Sequence, residues 1–218
     1  MPKENNTLDD TLDRALAMIA LKDVRRTGWV LRGVHRPESV ADHSWGTAFL
    51  SLVFLREAEQ SEGALDRATV LAIATVHDLA EVRTGDIPRR VDPDRQPLVG
   101  TKKAEAERRA LAELVGSLPS LAGFLELWEE YEAAETGEAR YVRDMNLVDM
   151  CLQALSYEID GRYDPADGAE EFPDYRRMEE FFATAGPRFC TAVGRRIYDR
   201  LWERYRRVVG QDSGKNTS

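Results

Sequence analysis

Apolar residues recur at helical spacing through almost the whole chain, and this periodicity is the feature that most constrains the fold. Strand-like alternation is nearly absent, whereas eight segments carry the i, i+3, i+4 pattern of a helix with one buried face. We predict helices over 8–24, 39–59, 66–82, 102–115, 118–134, 139–159, 175–185 and 187–209. The expected fold class is all-α, a globular helical bundle of about seven to nine helices.

The chain is long enough for one domain with a full core. Its 218 residues contain no linker or repeat that would divide them, so we expect a single domain over 1–218. The core should span about 8–209, with flexible ends at 1–7 and 210–218. Glycines and prolines predict loops over 83–100 and 161–173.

Composition excludes several classes of protein. A net charge of −9 argues against nucleic-acid polymers and anionic membranes as partners. The longest apolar stretch, 48–55, is too short to cross a bilayer, and the N-terminus is polar without a leader-like apolar region. Cys151 and Cys190 lack metal-ligand spacing, which indicates buried, reduced thiols. These features predict a cytoplasmic protein.

Two of the three histidines stand beside carboxylates. His43 closes the segment 38–43, and His77 directly precedes Asp78. Two imidazoles and a carboxylate suit a divalent ion that shares substrate oxygens. For the His-Asp pair alone, a buried histidine with a hydrogen-bonding neighbour is the alternative interpretation.

Two further acids follow the His-Asp pair. Glu81 lies four residues after His77, so both should share one face of the helix predicted over 66–82. Asp86 follows Gly85 in a turn. Polar groups at the end of an apolar helix need partners, and a metal ion would be one. A helix-end glutamate and an ordinary turn aspartate are the alternatives.

The segment Lys22–Arg36 has a charge opposite to that of the chain. It carries five basic residues and a single acid, a local charge of +4 in a chain of −9. We predict a phosphate-binding patch formed by Arg25, Arg26 and Arg32. Trp29 could stack on a nucleobase or sugar. The alternatives are a solvated basic helix end and a tryptophan that anchors the core.

Five motifs complete the pattern, in this order: Arg26-Thr27-Gly28-Trp29, Arg36-Pro37-Glu38-Ser39-Val40-Ala41-Asp42-His43, His77-Asp78-Leu79-Ala80-Glu81, Gly85-Asp86-Ile87 and Leu127-Trp128-Glu129-Glu130-Tyr131-Glu132. The ordered set resembles the HD-domain metal-dependent phosphohydrolases, in the 5′-deoxynucleotidase-like branch. The likeness covers about residues 15–157.

The resemblance implies a set of residue roles. His43, His77 and Asp78 would bind one divalent ion, which is Mn, Co, Mg, Ni or Fe(II). Glu81 would be the catalytic acid or base that handles the attacking water, and Asp86 would line the substrate site. The implied activity is release of phosphate from (deoxy)nucleoside monophosphates by a cytoplasmic homodimer.

The chain departs from the family pattern in two places. The fourth metal ligand, an aspartate in the family, corresponds to Asn146, whose neutral amide binds a divalent ion more weakly. Asp144 is the less favoured alternative, since it lies about 200° around the helix. Asp149 could support Asn146 from one turn away. In the bacterial nucleotidases an arginine precedes the tryptophan, whereas Gly28 does so here, and Arg26 could take its place.

Three functions therefore stay open. The favoured one is a mononuclear 5′-deoxynucleotidase, since no histidine follows His77 to hold a second ion. A second is an HD phosphohydrolase for nucleoside triphosphates or a modified nucleotide. A third is a non-catalytic nucleotide-binding protein, which Asn146 favours and the presence of Glu81 and Asp86 disfavours.

Overall fold

The structure is a computed structural model that describes residues 6–97, 100–116 and 118–215. Over these ranges the chain forms eleven α-helices and no strand, which confirms the all-α prediction. Nine helices have seven or more residues, within the expected range of seven to nine. The helices are α1 (Asn6–Ile19), α2 (Thr27–Leu31), α3 (Val40–Val53), α4 (Leu55–Glu62), α5 (Arg67–Val76), α6 (Glu81–Thr84), α7 (Gly100–Val115), α8 (Phe124–Ala133), α9 (Gly137–Ile159), α10 (Glu179–Ala185) and α11 (Ala192–Lys215).

Helix α9 is the centre of the bundle. It packs against α3, α5, α8, α10 and α11, and buried residues occur around most of its circumference, as its apolar sequence predicts. Two apolar clusters make up the core, and the partly buried Leu127 contacts both. The single domain over 1–218, with its core over about 8–209, stays a prediction that this shared contact supports.

Capping residues fix where the helices of the site begin. The Ser39 hydroxyl accepts a hydrogen bond from the Asp42 amide at 3.1 Å, while the Asp42 carboxylate accepts from the Ser39 amide at 2.8 Å. This reciprocal pair is a capping box. Asp66 caps α5 by accepting a hydrogen bond from the Thr69 amide. As a result, His43 lies in the first turn of α3.

Helix α5 ends at Val76, so the prediction of one helix over 66–82 is wrong. The His77 Nδ1 atom lies 2.9 Å from the Ala74 carbonyl oxygen, which in a continued α-helix would accept from the amide of Asp78. The chain then tightens into i to i−3 turns until α6 begins at Glu81. His77 and Glu81 therefore do not share a face of one helix.

The ends of the chain differ from expectation. Helix α1 begins at Asn6 and α11 continues to Lys215, so parts of both segments predicted as flexible are helical. No proline interrupts the polar sequence after Gly210, and helical backbone bonds do not require apolar side chains. Residues 1–5 and 216–218 of those segments lie outside the described residues. In the described parts of the chain, no helix is long and apolar enough to cross a membrane.

The two cysteines have different surroundings. Cys151 is buried in α9, as predicted, and burial raises its pKa. Cys190 is exposed, so the prediction of a buried thiol there is wrong. The reason is that the last helix begins at Ala192 instead of 187, which leaves Cys190 in the preceding turn.

Asp144 anchors the last helix instead of facing a metal site. Its buried carboxylate accepts hydrogen bonds from the amides of Cys190 and Thr191 at 3.0 and 2.8 Å, and from the Thr191 hydroxyl at 2.6 Å. A Cβ on Gly194 would lie 2.2 Å from its Oδ2 atom, so α11 approaches it closely. This position favours a role for Asp144 at the start of α11 over the alternative role of metal ligand, because its oxygens already accept hydrogen bonds there.

We predict that Asp144→Ala lowers the free energy of unfolding by about 3 kcal/mol, because it leaves buried donors without an acceptor. Urea denaturation measures this change, and Asp199→Ala on the exposed side of α11 is the matched control. Mn²⁺ affinity should be unchanged in the folded variant. Unchanged stability together with weakened Mn²⁺ binding would instead make Asp144 a ligand.

Candidate active site

Three donor atoms from two helix ends converge at one point. The Nε2 atoms of His43 and His77 lie 3.6 and 3.1 Å from Oδ2 of Asp78. All three residues can offer ligand atoms within 4.8 Å of one another. Ligands on metal bonds of about 2.1 Å stand about 3–3.5 Å apart in octahedral or tetrahedral geometry. The observed spacing therefore fits a divalent ion.

Each of these donors is buried and has no hydrogen-bond partner. His43 Nε2, His77 Nε2 and Asp78 Oδ2 are all unpartnered in the described part of the chain. Buried polar atoms without partners are costly in free energy, and a bound ion would satisfy all three at once. Because a carbonyl oxygen can only accept, the Ala74 contact requires a proton on Nδ1 of His77, which leaves Nε2 with a free lone pair.

Asp149 orients His43 in the same way. Its Oδ2 lies 2.6 Å from Nδ1 of His43, across the packing of α9 on α3. The sequence analysis had Asp149 supporting Asn146, whereas the structure shows it supporting a histidine ligand. Gly46 makes this approach possible, since a Cβ there would lie 2.0 Å from Asp149 Oδ1.

Burial and charge set the protonation of these donors. Burial and the nearby Arg26 lower the pKa of His43 to about 3, so its imidazole is neutral at pH 7. Burial alone would raise the pKa of Asp78, but His77, His43 and Arg26 outweigh it and hold that pKa well below its usual range. Burial raises the pKa of Asp149 to about 7. A neutral imidazole and a carboxylate are the forms that bind metal.

Asn146 lines the cavity beside these donors. Its Nδ2 atom donates to the Tyr131 hydroxyl at 2.7 Å, and the Tyr131 ring centroid lies 5.1 Å from that of His77. The amide nitrogen is thus occupied, and the amide oxygen is the atom left to act as a fourth ligand. Burial raises the pKa of Tyr131, which keeps its hydroxyl protonated.

Glu81 is a buried acid at the wall of the same cavity. One carboxyl oxygen has no partner in the described structure. Burial raises its pKa well above the usual value, and the like charges of Asp78 and Asp86 raise it further. A carboxyl group in this state can carry a proton near neutral pH.

Asp86 and Arg26 form a connected pair beside Glu81. An Asp86 oxygen accepts from the Thr27 amide at the start of α2, and the Thr27 hydroxyl donates to the Asp86 carbonyl at 2.8 Å. Arg26 lies 3.6 Å from Asp86 and 3.7 Å from Asp78. Although burial lowers the pKa of Arg26, these two carboxylates raise it more, so it stays charged. Both residues line the cavity.

Trp29 belongs to the core and also lines the cavity. It is only 1% exposed, its Nε1 donates to Glu38 at 2.8 Å, and its ring centroid lies 4.1 Å from that of Phe181. The structure therefore places Trp29 as a core anchor of α2 whose side chain also borders the cavity, and stacking on a nucleobase or sugar stays a prediction.

Arg25 and Arg32 do not reach the cavity. Arg25 is exposed and donates to the Pro37 carbonyl at 3.2 Å. Arg32 is fully buried between the rings of Tyr163 and Phe172, at 5.3 and 5.1 Å from their centroids. Of the three arginines predicted to bind phosphate, only Arg26 lines the cavity. Arg25, before α2, points to the solvent, and Arg32, after α2, points into the core.

The cavity has a volume of about 760 Å³, within the usual range of ligand pockets. Sequence analysis missed several of its basic side chains, which come from distant parts of the chain. These are Arg89, Lys103, Arg143 and Arg188. Only the packing of the loop that carries Arg89, of α7 and α9, and of the turn after α10 brings them together, so no local motif could have identified them.

We predict that Asp149→Asn weakens Mn²⁺ binding about 10- to 100-fold, because the His43 ring loses its charged partner. Titration calorimetry on metal-stripped protein measures the affinity, and Asp199→Asn on α11 serves as the control. An affinity equal to that of the unaltered protein would show that Asp149 does not act through His43.

Comparison with known proteins agrees with this geometry. The chain matches the HD domain family over residues 18–186. It is 38% identical over 140 residues to 5′-deoxynucleotidase HDDC2 of Bos taurus, a match that spans 63% of each protein. It is 31% identical over 188 residues to 5′-deoxynucleotidase HDDC2 of Danio rerio, which covers 84% of this chain and 81% of the relative.

Solved structures give the same result for the fold. The crystal structure of the PH0347 protein from Pyrococcus horikoshii OT3 superposes with a TM-score of 0.66 at 32% identity. That match covers 89% of this chain and 98% of the other. The family match, the relatives and the converging donors lead to one conclusion: the chain belongs to the HD-domain family, in the branch that contains the 5′-deoxynucleotidases.

Proposed function

We propose that this protein is a metal-dependent 5′-deoxynucleotidase that releases phosphate from deoxynucleoside monophosphates. One observation carries the proposal: three buried ligand atoms that make no hydrogen bond in the described structure converge at a cavity that also holds a protonatable acid, Glu81. The relatives' names support the same activity. A non-catalytic nucleotide-binding protein would have little use for Glu81 in this position.

The ligand set proposed for the metal is His43, His77, Asp78 and the amide oxygen of Asn146. An ion held there supplies positive charge for a phosphate oxygen and lowers the pKa of a bound water. Imidazole nitrogens suit Mn, Co, Ni or Fe(II) better than Mg, which prefers oxygen ligands. We therefore propose one of those four as the physiological metal.

The remaining residues act on the ester directly. Glu81, protonated by its surroundings, donates a proton to the 5′ oxygen as the P–O bond breaks, or positions the attacking water once it has lost that proton. Arg26 offsets phosphate charge, and Asp86 holds Arg26 and the start of α2 in place. Trp29 borders the cavity, and the sugar and base of the substrate would lie on its side of the site.

The test is phosphate release from a panel of nucleoside and deoxynucleoside monophosphates and triphosphates, with metal-stripped protein resupplied with each ion. We expect metal-dependent release, greatest with deoxynucleoside monophosphates. No release with any ion, while nucleotide still binds, would replace the proposal with the non-catalytic alternative.

Two variants should separate metal binding from proton transfer. His77→Ala and Asp78→Ala remove ligands, so metal binding and turnover should be lost together. Glu81→Gln keeps the ligands and removes the proton, so kcat should fall about 10²- to 10⁴-fold while Mn²⁺ affinity is retained. Calorimetry and phosphate release measure the two properties.

The exposed acid Glu113 on α7 provides the control, because Glu113→Gln should change neither property. Full activity in Glu81→Gln would remove Glu81 from the mechanism. Metal-dependent activity in both ligand variants would refute the metal site.

We further propose that two copies of the chain associate through α3. Trp45, Phe49, Leu52 and Val53 are all exposed on this helix, and the rings of Trp45 and Phe49 stack 5.2 Å apart. From Trp45 to Val53, no exposed position of α3 is polar. An apolar helix face of this kind is self-complementary in a two-fold dimer.

Trp45→Glu should therefore convert a dimer into a monomer, because it would bury a charge at the interface. Sedimentation equilibrium measures the mass, and Ile159→Glu at the exposed end of α9 is the control. A dimer that persists in Trp45→Glu would place the interface elsewhere, and a monomeric parent protein would remove the proposal.

We also propose a cytoplasmic location, with small nucleotides instead of nucleic-acid polymers as ligands. The net charge of −9 and two cysteines that are not paired support this proposal.

A further inference from the structure

Three arginines of the cavity lack an acidic partner. Arg89, Arg143 and Arg188 all line it, and over the described residues none of them forms an ion pair within 4.0 Å. The other basic side chains of the cavity are paired: Arg26 with Asp78 and Asp86, Arg90 with Glu180, and Lys103 with Glu107. The cavity therefore contains a group of cations that the protein does not neutralise.

These arginines repel one another. Burial lowers the pKa of Arg188, the positive charges of Arg89 and Arg143 add to this effect, and the resulting pKa is about 10. Arg143 and Arg188 are partly buried and Arg89 is exposed, and like charges held together without a counter-charge destabilise the protein that holds them. An anionic ligand would relieve that repulsion.

Their position is next to the metal donors. The Tyr131 ring lies beside both His77 and Arg143, with its centroid 5.1 Å from the His77 ring and 5.5 Å from the guanidinium carbon of Arg143. Arg143 uses one guanidinium nitrogen for the carbonyls of Tyr131 and Glu132, which fixes its direction. The metal donors and the arginines therefore line one cavity, in which His77 and Arg143 both pack against the same tyrosine ring.

The packing of α10 holds Arg188 near the site. Phe181 on α10 lies over Trp29 and fills the space beside Gly28, where a Cβ would come within 3.0 Å of the Phe181 ring. The turn that follows α10 carries Arg188. Since Gly28 and Trp29 belong to the same wall as Arg26, the C-terminal part of the chain completes the cavity that α2 begins.

We propose that Arg89, Arg143 and Arg188 form an anion-binding subsite. It would hold those oxygens of the substrate phosphate that face away from the metal donors. Guanidinium groups bind phosphate through paired N–H donors, and three of them can neutralise a dianion. This assignment rests on the proposed phosphatase function for the identity of its ligand. It moves the phosphate-binding role that the sequence suggested for Arg25 and Arg32 to residues in other parts of the chain.

Binding of inorganic phosphate to the full-length, metal-stripped protein tests the subsite without turnover. Arg188→Gln should weaken phosphate binding about tenfold, the loss expected for one charge-assisted hydrogen bond. The same variant, loaded with Mn²⁺, should show a KM for deoxynucleoside monophosphates raised by a similar factor, with unchanged Mn²⁺ affinity. Titration calorimetry and initial rates give these values.

Arg89→Gln is the second variant, since Arg89 is exposed on a loop and its loss should not affect folding. Arg196→Gln, an exposed arginine on α11, is the matched control and should change nothing. Equal phosphate affinity in the parent, Arg188→Gln and Arg89→Gln would overturn the subsite, as would the absence of phosphate binding in the parent. Weakened phosphate binding in a protein that hydrolyses no nucleotide would retain the subsite and refute the proposed function.

Discussion

The hydrogen bond between the His77 ring and the Ala74 carbonyl is the interaction on which the site depends. It occupies the carbonyl that would continue α5, so the helix ends and the chain tightens into turns. The same bond fixes the tautomer of His77 and leaves Nε2 as an acceptor with no partner in the described structure. Asp149 imposes the same arrangement on His43 from the other side. Two imidazoles and Asp78 are thereby prepared for an ion before it binds, which reduces the reorganisation that binding requires.

The cavity separates its charges into two regions. At one wall, Asp78, Asp86 and the acid Glu81 surround Arg26 beside the donor atoms. At the other, arginines stand without acidic partners. A phosphate ester bound between these regions would meet the positive charge of Arg26 on one side and that of the arginines on the other. Glu81 would be the proton source at its leaving oxygen. Because these groups are already in place, and those beside the donor atoms are largely shielded from water, their electrostatic effect is stronger than it would be in solution.

The sequence was sufficient for the elements with strong periodicity and for the three side chains that converge in the candidate site. The long helix α9 and the trio of His43, His77 and Asp78 follow from local patterns. It was insufficient wherever a side chain acts over a long distance in sequence. Periodicity continues past Val76 and cannot detect a ring bonded to a carbonyl, so the end of α5 was missed. The burial of Arg32 depends on aromatic rings more than 130 positions later, and its charge alone suggested a surface role.

The central claim is that the three converging donors bind a catalytic divalent ion. A crystal structure of the protein soaked with Mn²⁺, with anomalous data collected at the manganese edge, tests it most directly. The account predicts one strong peak at about 2 Å from Nε2 of His43, Nε2 of His77 and a carboxylate oxygen of Asp78, with the amide oxygen of Asn146 turned towards it. A peak bound elsewhere in the cavity, or no peak at these donors under saturating Mn²⁺, would contradict it.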